Sequence, residues 1–430
     1  MEKSGKKQLL AFLLIMVVLF LTPKYMEFIS PPSDSTEAEL IESEKTPTHE
    51  EYNEFTSINN PILTPKENIV EEEILFTIDT PLYIAEISNA GGGTIKSFLL
   101  KNYLGGYNDD GIYFEEDFVS ILLPDESRCS PCLSLRDNYT NKTKYFDEPF
   151  STKMKNGDNV FLRENESQTF VFNFIDESGN KLYKSLSAHA DFYYFDYEIN
   201  TETLEEGSFA REVAWTKSLR PTEENPEYDV AESGAVIWQN NVRDDITQSS
   251  QDRIEREMLD GQTNWAAIKT KYFIASIIPQ NNGIYGSYEA ENKLFANREV
   301  TPGYKVHIGH HSNDRTLSGK IYIGPQDVTE MRTTESNIEE AMNWGYSIIR
   351  PISKFILKLL KFLHKPFDGF TINYGIVLIL FAFIVRLITG PLTKKATVSN
   401  QKMQQLQPQI KKLQAKYKDE PMKLNQETMA

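Results

Sequence analysis

The chain has 430 residues, 62 acidic against 45 basic side chains and a net charge of −17, which excludes a nucleic-acid binder whose whole surface is cationic. Its length allows two or three domains. Charge is segregated, with thirteen acids and two lysines between Glu27 and Glu73 but eight lysines and three acids from Thr389 to Ala430, so parts of one chain are expected to face different compartments.

Lys3, Lys6 and Lys7 precede the apolar run Leu9–Leu21. No small-x-small cleavage site follows it. Gln8, Thr22 and Pro23, with snorkelling Lys7 and Lys24, extend the run to the minimum of about 17 residues for a span. Residues 1–24 therefore read as an uncleaved signal anchor with its lysines in the cytoplasm, so that the following chain is exported. Residues 25–69 carry Pro31-Pro32, Pro47, Pro61 and Pro65 among Ser, Thr and Glu without hydrophobic period, and read as an acidic disordered linker.

Over residues 70–335 the texture is that of strands. ILFTIDTPLYIAEIS, TFVFNFID, FYYFDYEIN, KYFIASIIP and KVHIGH alternate or run in short β-branched and aromatic stretches, punctuated by Asn, Asp, Gly and Pro. One large antiparallel β-sandwich is expected. Gly91-Gly92-Gly93 lacks the lysine of a phosphate loop and reads as a hairpin turn. Cys129 and Cys132, the two cysteines of the chain, could form a redox pair, half a zinc site or a local disulfide. Without a second CxxC or a suitable His pair, and in an exported domain, a small loop disulfide is the favoured reading. His307, His310 and His311 give two ligands on one strand face and one on the other, a weak metal signal, and are read as surface or strand histidines. No GxSxG or HExxH occurs, so neither catalytic residues nor a metal site are expected.

Residues 336–366 follow the β-domain. In WGYSIIRPISKFILKLLKFLHKP, Trp344 to Pro366, the apolar residues Ile348, Ile349, Ile352, Phe355, Ile356, Leu359, Leu360 and Leu363 trace one helical face. Arg350, Lys354, Lys358, Lys361 and Lys365 trace the other. A cationic amphipathic helix opening on Trp344 suits a membrane interface, with Arg350, Lys354, Lys358 and Lys361 at lipid phosphates; a soluble helix packed on the β-domain is the alternative. Residues 370–390 contain INYGIVLILFAFIVRLI (Ile372–Ile388), a transmembrane candidate holding one cation, Arg386. An arginine at the centre of a span costs about 2.5–3.5 kcal/mol on insertion scales, so it is expected to be functional unless it snorkels to the near surface. After the turn formers Gly390 and Pro391, residues 391–430 read as a cytoplasmic basic helical segment from about Ala396, with Lys394, Lys395, Lys402, Lys411 and Lys412 placed by the positive-inside rule. Met403, Leu406, Ile410, Leu413 and Tyr417 form a heptad-like stripe.

From Asn373 to Ala430 the sequence resembles the YidC family of bacterial membrane protein insertases, in the Gram-negative form with a large periplasmic domain. The match runs through an N-aromatic-G opening, an intramembrane arginine, Pro-Leu with basic residues, then KMQ, LQP and KY. YIGP (Tyr322–Pro325), Trp344-Gly345 and Trp265…Tyr272-Phe273 match as well. The resemblance implies an inner-membrane protein built from a signal-anchor helix, an all-β periplasmic supersandwich similar to galactose mutarotase, an interfacial helix, a transmembrane helix and the start of a cytoplasmic helical hairpin. It implies that Arg386 contacts substrate in a hydrophilic groove, and that the lysine-rich segment recruits substrates. The implied partners are nascent membrane proteins, the Sec translocon, ribosome or targeting factors and the lipid bilayer, with no direct nucleic-acid contact and no cofactor. The family core has five spans after the anchor and this chain carries the first, so a shortened version of the pattern is expected. A membrane-tethered periplasmic binding module for a glycan or a protein is the competing reading. A mutarotase-like enzyme is disfavoured, since no His/Glu constellation stands out.

Overall fold

The computed structural model describes residues 72–416 apart from 108–112, 125–128, 177, 202, 205, 248–255, 296–298, 347 and 366–370. The expected anchor, the linker and the chain beyond Lys416 lie outside the described residues. The strands are β1 (Leu75–Asp79), β2 (Tyr83–Ser88), β3 (Thr94–Tyr107), β4 (Tyr113–Ser120), β5 (Cys132–Asp137), β6 (Thr143–Tyr145), β7 (Ser151–Thr152), β8 (Asn159–Phe161), β9 (Ser167–Ile175), β10 (Lys181–His189), β11 (Tyr194–Asn200), β12 (Phe209–Trp215), β13 (Gly234–Gln239), β14 (Val242–Thr247), β15 (Glu257–Lys269), β16 (Phe273–Pro279), β17 (Gly283–Phe295), β18 (Glu299–His310) and β19 (Thr316–Pro325). Helix α1 (Pro226–Val230) interrupts them. Helix α2 (Val328–Arg332), a 3-10 turn (Ile338–Ala341), α3 (Arg350–His364) and α4 (Tyr374–Lys416) follow.

A five-stranded sheet, β4-β3-β2-β1-β8, lies on a fourteen-stranded sheet whose path runs β6-β5-β12-β18-β17-β15-β16-β19-β11-β10-β9-β7, with β13 and β14 paired off β15. Alternation decides which side chains meet. Phe76 and Ile78 of β1, Tyr83 of β2 and Phe98 of β3 turn inward and are buried. Across the gap, Phe76 packs on Phe170 with ring centroids 5.0 Å apart, and Tyr83 on Phe195 at 5.5 Å. Aromatic pairs at these separations add to the burial of their area.

The three glycines form the hairpin between β2 and β3, each with positive φ. Behind this hairpin, fully buried Lys184 donates from Nζ to the carbonyls of Gly91 (2.9 Å) and Pro131 (2.6 Å), and burial pulls its pKa down to about 7. The Pro131 carbonyl belongs to the segment that carries the Cys129–Cys132 disulfide, both of whose cysteines are buried.

Strand register also gathers a polar cluster that no local motif announced. Glu212 on β12 is fully buried and accepts from Tyr285 Oη (2.6 Å), Arg256 Nη2 (2.6 Å) and Ser134 Oγ (3.1 Å). Arg136 donates from Nε to Tyr285 Oη at 2.9 Å. Beside them His307 Nε2 lies 3.0 Å from Tyr145 Oη, and burial followed by the nearby Arg256 holds the imidazole neutral, well below its usual pKa. Gly309 makes room for the cluster, because a Cβ there would come within 2.1 Å of the Tyr285 ring. His310 is buried on the other face of β18, while His311 is exposed beyond the strand's end.

Two predictions follow from these buried groups. Glu212→Leu strips the counter-charge from Arg256 and Arg136, and should cost about 3–5 kcal/mol in denaturant titrations of the chain. Burial depresses the His310 pKa from 6.5 to about 4. The unfolded chain therefore binds more protons between these values, and stability falls as pH drops from about 6.5, levelling below about 4. The loss should reach about 3 kcal/mol and shrink in His310→Gln, read from tryptophan fluorescence at a series of pH values.

Candidate functional site

Beyond β19 the chain changes from sheet to helices. Tyr322 of the YIGP run is buried and its hydroxyl donates to the Pro325 carbonyl at 2.7 Å. A Cβ at Gly324 would lie 2.9 Å from Tyr193, so glycine is needed for the close approach. Asp327 then caps α2, accepting from the Thr329 amide at 2.6 Å. Burial raises the Asp327 carboxyl, but that amide and the Lys361 ammonium outweigh it and hold its pKa below the ordinary value.

The amphipathic helix begins at Arg350, later than the expected start at Trp344. Trp344 is nearly buried: its indole donates to the Glu339 carbonyl at 2.9 Å and Lys354 Nζ lies 5.3 Å from its ring. The indole is thus packed between the 3-10 turn and Lys354. The basic face of α3 is turned the same way. Lys354 Nζ meets Glu340 at 2.5 Å, Arg350 meets the same carboxylate at 3.3 Å, and Lys361 reaches Asp327 at 3.4 Å and Thr329 Oγ1 at 2.6 Å. Lys358 and Lys365 stay exposed. On the other face Ile348, Ile352, Phe355 and Phe362, at spacings of four, three and seven, are each more than half exposed.

The joint to α4 explains the N-aromatic-G opening. Asn373 Oδ1 accepts from the Gly375 amide at 2.8 Å, Tyr374 stacks on His364 at 4.1 Å, and a Cβ on Gly375 would lie 3.1 Å from the capping oxygen. His364 Nδ1 lies 2.7 Å from the Ile372 carbonyl. His364 was assigned no role from the sequence, because nothing local links it to Tyr374 and Ile372.

Helix α4 runs for 43 residues without the turn expected at Gly390-Pro391. Pro391 has no backbone N–H and leaves the Leu387 carbonyl without its usual helical donor; the hydroxyls of Thr389, Thr393 and Thr397 bond to other carbonyls, those of Val385 (2.8 Å), Thr389 (2.9 Å) and Thr393 (2.9 Å). Tyr374–Pro391 is long and apolar enough to cross a membrane, the one such helix among the described residues. Arg386 lies in this window with its side chain exposed, as do Lys394, Lys395 and Lys402 further along; Lys411 and Lys412 fall in the last turns. At helical spacing Arg386 shares a face with Ala382, Thr389, Gly390, Thr393 and Thr397, and toward the helix start with Phe383 and Ile379, so the face turns from apolar to small or hydroxyl-bearing at Arg386. Among the described residues no His, Cys, Asp and Glu group could hold a metal ion.

A two-sheet β-domain joined through an amphipathic helix to a long apolar helix defines an integral membrane protein with a large extramembranous domain. Residues 75–359 match the model of the YidC periplasmic domain and residues 366–430 that of the 60Kd inner membrane protein. The chain belongs to the YidC family. Relatives described as membrane protein insertase YidC include those of Prosthecochloris aestuarii, 28% identical over 99% of this chain and 71% of that one, and Chloroherpeton thalassium, 28% identical over 83% and 60%. A galactose mutarotase-like protein from Lactobacillus casei aligns over 58% of this chain and 99% of its own at 10% identity and a TM-score of 0.33, a distance at which neither fold detail nor activity transfers.

The continuity of α4 is testable. Spin labels at Phe383→Cys and Thr397→Cys, fourteen residues apart, should lie about 21 Å apart along a straight helix; a turn at Pro391 would bring them closer.

Proposed function

We propose that the chain acts in inserting and folding inner-membrane proteins, with Arg386 as the cation that meets polar or acidic stretches of an incoming chain. The order of the two matched segments, a periplasmic domain followed by the inner-membrane region, together with a lone arginine inside the apolar window, carries this reading. A guanidinium held in a wetted cleft of low dielectric attracts carboxylates far more strongly than it does in bulk water. Burial of the substrate's own span supplies the free energy, so neither nucleotide nor metal is needed. On this reading the β-domain is exported, α3 lies along the outer lipid surface, and the lysines from Lys394 onward stand in the cytoplasm, where they recruit substrates and meet ribosome or targeting factors. The Sec translocon is the expected neighbour for substrates with large exported domains.

The experiment is complementation of a strain depleted of its own insertase. Arg386→Ala should lower insertion of single-span substrates with acidic tails at least tenfold relative to the unsubstituted chain, and Arg386→Lys should keep part of it. Equal insertion by all three would refute the role of Arg386.

One observation favours a binding role for the β-domain as well. Ser185, Ser187, Asp196, Glu198, Ser318 and Lys320 line an open trough of about 810 Å³ on the outer face of the large sheet, walled by residues 334–337. Its hydroxyls and carboxylates suit a polar ligand, a glycan or a protein segment.

A further inference from the structure

Most of the cations of α3 face the protein. Three of the five, Arg350, Lys354 and Lys361, are paired with Glu340 and Asp327, and Trp344 is packed beneath Lys354. The apolar ridge of Ile348, Ile352, Phe355 and Phe362 is exposed on the opposite side. A helix binding a bilayer only through lysine–phosphate contacts would leave these cations free; here they are committed before any lipid arrives.

We propose that Glu340 and Asp327 form a carboxylate clasp that sets the rotation of α3 about its axis, so that the β-domain rests on the lipid surface by its α2 and 3-10 edge and the ridge enters the bilayer. Lipid phosphates are then met by Lys358 and Lys365, the two cations of the helix left exposed. The inference rests on the reading of α3 as a membrane-surface helix. Glu340 and Asp327 are positioning residues. Glu340 bridges two cations one turn apart on α3, fixing the start of the helix. Asp327 holds Lys361 near its end while also capping α2, so the two anchors span most of the helix's length. Two separated anchors resist rotation, which a single ion pair on a flexible side chain does not.

The clasp is tested on the full chain reconstituted in nanodiscs of three parts phosphatidylethanolamine to one part phosphatidylglycerol. Spin labels at Tyr139→Cys, an exposed position on the β-domain, and Lys358→Cys report the distance between domain and helix; the native cysteines are already joined. The parent should give one narrow distance distribution. Glu340→Gln with Asp327→Asn, in which Asn still caps α2, should broaden it at least twofold. Glu340→Arg with Arg350→Glu and Lys354→Glu, the exchanged pair, should restore it. A label at Ile352→Cys separately reports contact with lipid through collisional access of oxygen. Low oxygen access there would overturn the membrane-surface reading. High access together with an unchanged distribution in the Gln/Asn variant would overturn the clasp and leave that reading standing.

Discussion

Ile376, Leu378, Ile379, Phe383, Leu387 and Ile388 are each more than half exposed on α4, and in the Tyr374–Pro391 window Val377 is the buried one. Removing such a side chain from water contributes about 1.5–3 kcal/mol, and the protein supplies almost none of that burial. A helix of this kind needs an apolar solvent, which an inner membrane provides. The rest of the described structure can be understood from this requirement. The helix continues through Pro391, its start is fixed by the Asn373 cap and the Tyr374–His364 stack, and the segment before it has one apolar and one charged face. Arg386 is the exception to the apolar rule, and its same-face neighbours on the C-terminal side, Thr389, Gly390 and Thr393, are small or hydroxyl-bearing.

The β-domain contains ionisable residues in proximity, as an enzyme would, but they are engaged differently. Glu212 accepts from three donors and has no exposure. A carboxylate so occupied has little capacity left to take a proton from a substrate, and a solvent-excluded imidazole such as His307 has no route to exchange one. The cluster instead joins strands β5, β12, β17 and β18 through their polar side chains, with the desolvation of each charge offset by the others. Membership of an insertase family, which is not a family of enzymes, agrees with that chemistry.

Strands were legible because alternation is imposed by the sheet itself: Phe76, Ile78, Phe170 and Phe172 are apolar where the pleat turns them inward. The hydrophobic face of α3 was legible for the same reason, with a period of 3.6 replacing one of two. The Glu212 cluster was not, because its members lie as far apart in sequence as Ser134 and His307, and only register brings them together. The packing of Trp344 on the Glu339 carbonyl was not legible, because an aromatic beside a basic helix has the same local signature whether it anchors to lipid or packs on protein. Gly390-Pro391 was read as a turn from its residue types, but the helix runs through it; proline disfavours a helix interior without forbidding it.

At about 1.5 Å per residue, α4 is on the order of 64 Å long, roughly twice the thickness of a bilayer's hydrocarbon core. Arg386 and Lys402 lie on this one rod, about 24 Å apart along its axis. The continuity of α4 therefore places on one helix two parts that the sequence suggested were separate, so the positions of Arg386 and the lysines are set by one axis and one register.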